Sequence, residues 1–172
     1  SIVISGSNNP DIQSLIIAIN KLLTSYGNTI DTSRSLNLRK GDDQQFEAFV
    51  KALNSGGVAG VIFYNCNPVY DHPLGAQIES GLSKVKFTLS TSDRPDETSS
   101  LVKYQTPDHH YLESWNDVEP VSGSYSLAQP TIKNIFDTRQ AQSSFLKWSG
   151  SNEDYYDFIR SNWEKDLYPM AK

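Results

Sequence analysis

One cysteine, one methionine and three histidines in 172 residues leave this sequence short of the side chains that usually carry redox and metal chemistry. Cys66 has no partner for an internal disulfide. Nor can an iron-sulfur cluster or a thiolate zinc site be built within this chain alone. A lone cysteine leaves the redox compartment open. Positive charge is also scarce, with 15 Lys and Arg against 20 Asp and Glu for a net charge of -5. Binding to a phosphate backbone needs clustered cations, so nucleic acid is not an expected partner. No apolar run approaches the roughly 20 residues that cross a bilayer. The piece is expected to be soluble and not to insert directly into a membrane. G-x-G-x-x-G and G-x-S-x-G are both missing, which argues against a nicotinamide or flavin dinucleotide site and against a serine hydrolase.

What is present is enough to build a core. Apolar residues make up 37% and aromatics 11% of the chain, which suits one domain, with or without a C-terminal appendage. The sequence has no initiating Met and enters a strand-like run at its second residue, so it is expected to be part of a longer polypeptide.

Hydrophobic periodicity outlines an α/β chain. Ile2-Val3-Ile4 reads as a strand, closed by the turn Ser5 to Pro10. Ile12, Leu15, Ile16, Ile19, Leu22 and Leu23 then form the stripe of an amphipathic helix, with Asn9 as cap, Pro10 in the first turn and Gly27 as the stop. Thr29 to Thr32 is a candidate second strand. Phe46, Phe49, Val50 and Leu53 mark a second helix, capped by Asp42 or Asp43 and ended by Gly56-Gly57. Val58 to Tyr64 is nearly all apolar, as expected for a strand covered on both faces. Leu74, Ile78, Leu82 and Val85 suggest a third helix, followed by strands near Phe87 to Ser90 and Val102 to Gln105.

This alternation predicts a doubly wound three-layer α/β/α fold on a mostly parallel five-stranded sheet. Residues 1–107 form the Rossmann-like domain in this reading. Residues 108–136 lack a steady period and read as an ordered wrap, and residues 137–172 read as a helical segment packed on the same domain. Asp137-Thr138-Arg139-Gln140 has the spacing of a capping box, with Asp in place of Ser or Thr. The last helix would bury Tyr155, Phe158, Ile159 and Trp163.

Ligands of open parallel sheets sit beyond the carboxyl ends of the strands. The segments expected there are Gly6-Ser7-Asn8-Asn9, Asn65-Cys66-Asn67-Pro68, Thr91-Ser92-Asp93-Arg94 and Asp108-His109-His110. His109, His110 and Glu113, with His72 as a further candidate, suggest a metal. Adjacent histidines on an extended chain point to opposite faces, however, so they are read as hydrogen-bonded loop residues and no metal site is expected. Asp93, Asp96 and Glu97 beside Arg94 read as a surface group capping the Asp96 to Leu101 turn. Cys66 has no neighbouring His or Lys to activate it and is expected to be semi-buried and inert. Trp115, Tyr125, Trp148 and Trp163 are either interface anchors or core residues.

Three pieces stand in order along the chain: Tyr64-Asn65-Cys66-Asn67-Pro68, Asp96-Glu97-Thr98, and Thr106-Pro107-Asp108-His109-His110-Tyr111-Leu112-Glu113-Ser114-Trp115. Their order and spacing resemble the cofactor-facing loops of the molybdopterin oxidoreductase superfamily. Val3-Ile4-Ser5-Gly6 with its following helix through Ala18-Ile19-Asn20 and Gly27-Asn28-Thr29 resembles the opening of that family's third domain. Gly123 to Ile132 and Phe136-Asp137-Thr138-Arg139-Gln140 are similar to the branch found in the iron-sulfur subunit of bacterial alternative complex III. The resemblance spans roughly residues 2 to 165 and rests on order and spacing rather than on any one motif.

Catalytic members of that family hold a bis-pterin guanine dinucleotide between domains. The resemblance therefore implies Gly6, Asn8, Asn67, Pro68, Thr98 and Asp108 as cofactor-facing positions, if a pterin site is retained. The family's metal ligand and N-terminal cluster cysteines have no counterpart here, and no catalytic residue is assigned. Two readings follow. One is a structural and interaction module without its own redox centre, with iron-sulfur clusters elsewhere in the parent protein. Its partners would be other domains and subunits of a membrane-attached respiratory complex at the periplasmic face of a bacterial inner membrane. The other is part of an active molybdopterin enzyme whose strand-end loops bind the guanine dinucleotide.

Overall fold

A computed structural model describes residues 1–38 and 40–170. By its internal contacts the chain divides into two compact units, Ser1–Lys40 with Glu119–Tyr125, and Gly41–Val118 with Ser126–Lys172.

In the first unit, helix α1 (Pro10–Leu22) begins as its residues dictate. The Asn9 side chain accepts the N–H groups of Asp11 and Ile12, and Pro10 occupies a position that needs no donor. The helix closes at Leu23, and Thr24, at φ 52°, turns the chain before Gly27 is reached. Its expected apolar stripe does not become a buried face within this unit. Ile16 and Ile19 are partly covered, but Leu22 is 84% exposed and Ile12 and Leu15 are also exposed.

Ile2-Val3-Ile4, expected as a strand, has no strand partner. The Asn20 carboxamide takes that place, accepting the N–H of Val3 at 2.8 Å and donating to its carbonyl at 2.8 Å. A buried side chain has thus satisfied the backbone that the sheet was expected to satisfy. Thr29 to Thr32 is likewise not a strand; it contributes only the bridge between Tyr26 and Ile30. Residues 119–122 close the unit through Leu36 paired with Val121, Asn37 N–H donating to Pro120, and Ser122 N–H donating to Ser35.

The second unit holds the parallel sheet: β1 (Gly60–Phe63), β2 (Phe87–Ser90) and β3 (Tyr104–Gln105), in that order across the sheet. Val61 pairs with Thr88 and Phe63 with Ser90 in parallel register. The sheet among the described residues therefore has three parallel strands, not five. Helix α2 (Asp43–Ser55) is capped by Asp42 at the N–H of Gln45, and ends on Gly56 at φ 77°, the left-handed position that glycine takes without a Cβ penalty.

After β1 come a short helix α3 (Pro68–Asp71) and α4 (Gly75–Leu82). Val50 and Leu53 of α2, Phe63 of β1, Ile78 and Leu82 of α4, and Val85 form the main core. Helices α2 and α4 come very close, because an added Cβ on Gly81 would meet Leu53 Cγ at 2.8 Å. Only one face of β1 is covered in this way. Ile62, on the other face, is 43% exposed, and Phe87 and Tyr104 are exposed with their rings 5.5 Å apart. The expectation of a strand buried on both sides fails because hydrophobic content alone does not report which face meets a helix.

The 108–136 stretch is more regular than its composition suggests. It begins with a single 3-10 turn, Tyr111–Glu113, and then forms an antiparallel hairpin of β4 (Asn116–Val121) and β5 (Ser124–Ala128) around Gly123 at φ 79°. Two helices follow, α5 (Ala141–Trp148) and α6 (Tyr155–Asn162), the latter running on through a wider π turn at Trp163–Leu167. The expected capping box at Asp137 to Gln140 does not form. Gln140 is the N-cap without a side-chain bond, and Asp108 caps the helix from far away in sequence by accepting the N–H of Ala141 at 2.7 Å.

Gly75 is the tightest backbone contact of this unit: a Cβ there would lie 2.1 Å from the carbonyl oxygen of Val69. Gly75→Ala is expected to cost about 3 kcal/mol, because backbone must move to admit a methyl. Gly41→Ala, with nothing within 4 Å, should stay within about 0.5 kcal/mol of wild type. Urea denaturation of both variants checks the pair; equal stabilities would contradict the packing described.

Candidate functional site

The three parallel strands end side by side, and the loops leaving them enclose an open cleft of about 630 Å³. From β1 come Asn65, Cys66 and Asn67; from β2, Thr91 to Arg94 and Asp96; from the chain after β3, Asp108 to Tyr111. Parallel strands point all their carboxyl ends one way, so these loops must converge. The strand-end segments of the second unit that the sequence pointed to are therefore brought together.

Of the six positions implied by the family resemblance, Asn67 and Asp108 line this cleft. Gly6 and Asn8 belong to the first unit, in the turn before α1. Pro68 opens α3 and lies in an adjoining apolar groove of about 360 Å³ with Phe46, Phe49 and Val61. Thr98 faces no ligand space at all: it is 0% exposed. Its hydroxyl donates to Asn67 Oδ1 at 2.7 Å and accepts the N–H of Val69 at 3.1 Å, and its own N–H donates to Asn67 Oδ1 at 3.1 Å. Asn67 Nδ2 in turn donates to Glu97 at 2.7 Å. Thr98 is thus a latch between the β1 and β2 loops.

Several lining residues escaped sequence reading. Asn116, Gln140 and Gln142 reach the cleft from distant parts of the chain. Gln142 donates to the Tyr64 hydroxyl, and Tyr64 packs edge-on against Phe145, their ring centroids 5.5 Å apart. No local pattern marks such residues, because the fold alone makes them neighbours. Asn65, at φ 51°, did carry a signal: asparagine tolerates the left-handed conformation that a sharp strand-end turn requires.

The walls are acidic. Asp71, Asp93, Asp96 and Asp108 line the cleft, and Arg94 is the one Lys or Arg that does so among the described residues. Arg94 is already paired with Asp93, through Nε at 3.1 Å and Nη2 at 3.0 Å, and this pair holds the Asp93 carboxyl below its ordinary range. Burial works against the charge of Asp96, but the Ser99 N–H and the hydroxyls of Ser92 and Ser99 outweigh it and leave its pKa lowered. Asp96 thus caps the turn that runs on into Leu101, as expected from sequence. Asp108 goes the other way: burial raises its pKa, and the N–H groups of Ala141 and His109 only partly offset this.

Several backbone donors of these loops are committed within the protein. The N–H of Thr91 bonds Phe63, that of Ser92 the Ser90 hydroxyl, and that of Asp108 the Thr91 carbonyl. His109 N–H donates to Asp108 Oδ1, and His110 N–H to Glu113. Tyr70 and Asp71 N–H groups both donate to the Asn67 carbonyl. With acidic walls, a paired arginine and these occupied amides, the cleft does not fit the pyrophosphate of a guanine dinucleotide.

The histidines are bonded in loops rather than grouped around one ion. His109 Nε2 contacts the Thr138 carbonyl at 3.0 Å, His110 Nδ1 accepts the Leu112 N–H, and His72 Nδ1 accepts the Leu74 N–H at 3.1 Å. Cys66 is exposed rather than semi-buried. Its thiol pKa is nonetheless raised, first by lost solvation among the loops and then by the charges of Asp96 and Asp71, so it is a poor thiolate. Trp115 packs on Tyr156 at 4.8 Å, and the Trp163 indole donates to Asp117, while Trp148 is exposed.

Among known proteins, no family model matches this sequence. It is similar to the menaquinone reductase, molybdopterin-binding-like subunit of Nitratidesulfovibrio vulgaris (strain Hildenborough), being 30% identical over 114 residues, 62% of this chain. The chain spans 16% of that protein's length. This supports a relation to molybdopterin-oxidoreductase-like proteins of respiratory type. No helix among the described residues is long and apolar enough to cross a membrane.

Two substitutions test the cleft's construction. Thr98→Val should cost about 1–3 kcal/mol in chemical denaturation, since the buried N–H of Val69 loses its acceptor. Asp108→Ala removes the α5 cap and should cost about 1–2 kcal/mol. Asp108→Asn keeps a cap oxygen and removes the buried charge. Because the folded pKa of Asp108 is raised, the wild-type carboxyl favours folding below its ordinary value and loses that contribution as pH rises through the folded one. The Asn variant should therefore match or exceed wild type at neutral pH and lose this advantage in acid; denaturation at both pH values decides.

Proposed function

We propose that this chain is a structural and interaction module, without its own redox centre, of a molybdopterin-oxidoreductase-like subunit. The parent protein belongs, in this reading, to a respiratory quinol:electron-acceptor oxidoreductase of the alternative complex III type. Its iron-sulfur clusters lie elsewhere in the polypeptide, and its partners are the other domains and subunits of a membrane-attached assembly at the periplasmic face of a bacterial inner membrane. The observation that carries this reading is the charge of the strand-end cleft: four aspartates line its walls and its one lining arginine is paired with Asp93, while several loop N–H groups are engaged by the chain itself. A cleft so furnished repels a dinucleotide anion. The likeness to a respiratory molybdopterin-binding-like subunit supports the setting.

A second reading is part of an active molybdopterin enzyme whose loops bind the guanine dinucleotide. It is favoured by the place of the cleft, beyond the carboxyl ends of parallel strands, where such folds hold nucleotides. The two differ in what the full-length protein contains. Purified from its native membrane, it is expected to hold iron without stoichiometric molybdenum or pterin, and GDP added to it should leave the amide signals of Asn65, Asn67 and Asp108 unmoved. Molybdenum with pterin, or a saturable GDP shift at those positions, would establish the second reading instead.

A further inference from the structure

Two adjacent histidines stand on the cleft wall. His109 Nε2 lies 3.0 Å from the Thr138 carbonyl and 3.1 Å from Asn134 Nδ2, so whether it donates or accepts follows its tautomer. His110 Nδ1 meets the N–H of Leu112 at 3.3 Å, so the ring must accept there. An imidazolium has no acceptor, and this second bond exists only with the ring neutral. His110 is the N-cap of the 3-10 turn Tyr111–Glu113, and Glu113 reciprocates by accepting the His110 N–H at 3.0 Å.

That turn holds more than itself. The Leu112 carbonyl accepts the N–H groups of Thr131 at 2.8 Å and Ile132 at 3.2 Å, and Glu113 Oε1 accepts the N–H of Ile135 at 3.0 Å. The segment Thr131 to Ile135 is thereby pinned in place although Ile132 and Ile135 are exposed. His110 and Tyr111, with rings 4.3 Å apart, also form part of the cleft wall.

We propose that His110 is a proton-operated clasp: its neutral ring closes the Tyr111–Glu113 turn and fastens residues 131–135 to it, and protonation opens both. The charged groups that bear on this ring are Glu113 in its own turn, Asp93 from the loop after β2, and neighbouring His109. Asp93 and Glu113 give the protonated ring carboxylate partners, so the cation has somewhere to turn. Glu113 does not confuse the reading. The Ile135 and His110 N–H groups keep its carboxyl below the ordinary Glu range. This clasp does not rest on the function proposed above.

Amide hydrogen exchange of the protein, expressed as protection factors so that intrinsic pH effects cancel, tests it between about pH 8 and about pH 5. Protection of Leu112, Thr131 and Ile135 is expected to fall about tenfold on acidification, the worth of one net hydrogen bond. His110→Asn, which keeps a cap acceptor that cannot protonate, should keep the wild type's high-pH protection at both ends. His110→Ala should be poorly protected at both, and His109→Gln should respond to acid as wild type does. Constant protection in wild type, or an equal fall in His110→Asn, overturns the proposal.

Discussion

Thr98 has no exposed surface, and its hydroxyl and N–H both engage Asn67. Through that latch the loop leaving β1 is tied to the turn after β2, and the Val69 N–H that starts α3 is satisfied as well. Together with the Thr91 N–H to Phe63 and Asp108 N–H to Thr91 bonds, the latch fixes the spacing of the strand-end loops. With it, one wall of the cleft becomes a continuation of the core rather than a flexible rim.

The same economy governs the rest of the cleft. Loops at the carboxyl ends of parallel strands carry unpaired N–H groups, which either wait for a ligand or find partners in the protein. Here the partners are internal: the Ser90 hydroxyl for Ser92, the carboxylates of Asp108 for His109 and Glu113 for His110. Asp108 thereby adds to the acidic walls formed with Asp71, Asp93 and Asp96, and Arg94 is neutralised by its neighbour Asp93. The likeness to a molybdopterin-binding-like subunit and the chemistry of this cleft are compatible when the cleft is regarded as architecture that contacts protein rather than nucleotide.

Local structure was legible wherever its causes were local. Asn9 before Pro10, Asp42 three residues before Gln45, and Gly56 after Ser55 mark helix ends because the capping bonds reach only a few residues. Phe87 to Ser90 was read to the residue. The Ile2-Val3-Ile4 run was misjudged because its side chains suit a sheet, whereas Asn20 in the following helix captured its backbone. The capping box at Asp137 to Gln140 was misjudged for a related reason, since Asp108 supplied the acceptor from 33 positions away. In the 108–136 stretch, the hairpin about Gly123 was hidden by charged and small residues that have no steady alternation.

Of the candidate site, the sequence by itself determined the loops, because the ends of predicted strands can be counted along the chain and parallel strands must deliver them to one side. The mixed α/β character with parallel strands, the caps of the first two helices and the scarcity of cations were equally open to reading. Only the tertiary structure decided which of those residues face the cleft. Thr98 went inward and Asp108 to a helix N-terminus, while Asn116, Gln140 and Gln142 entered from elsewhere. The physical reason is that a hydrogen bond is chosen by distance in space, and a polar side chain carries no mark of whether its partner is water, ligand or a remote stretch of its own backbone.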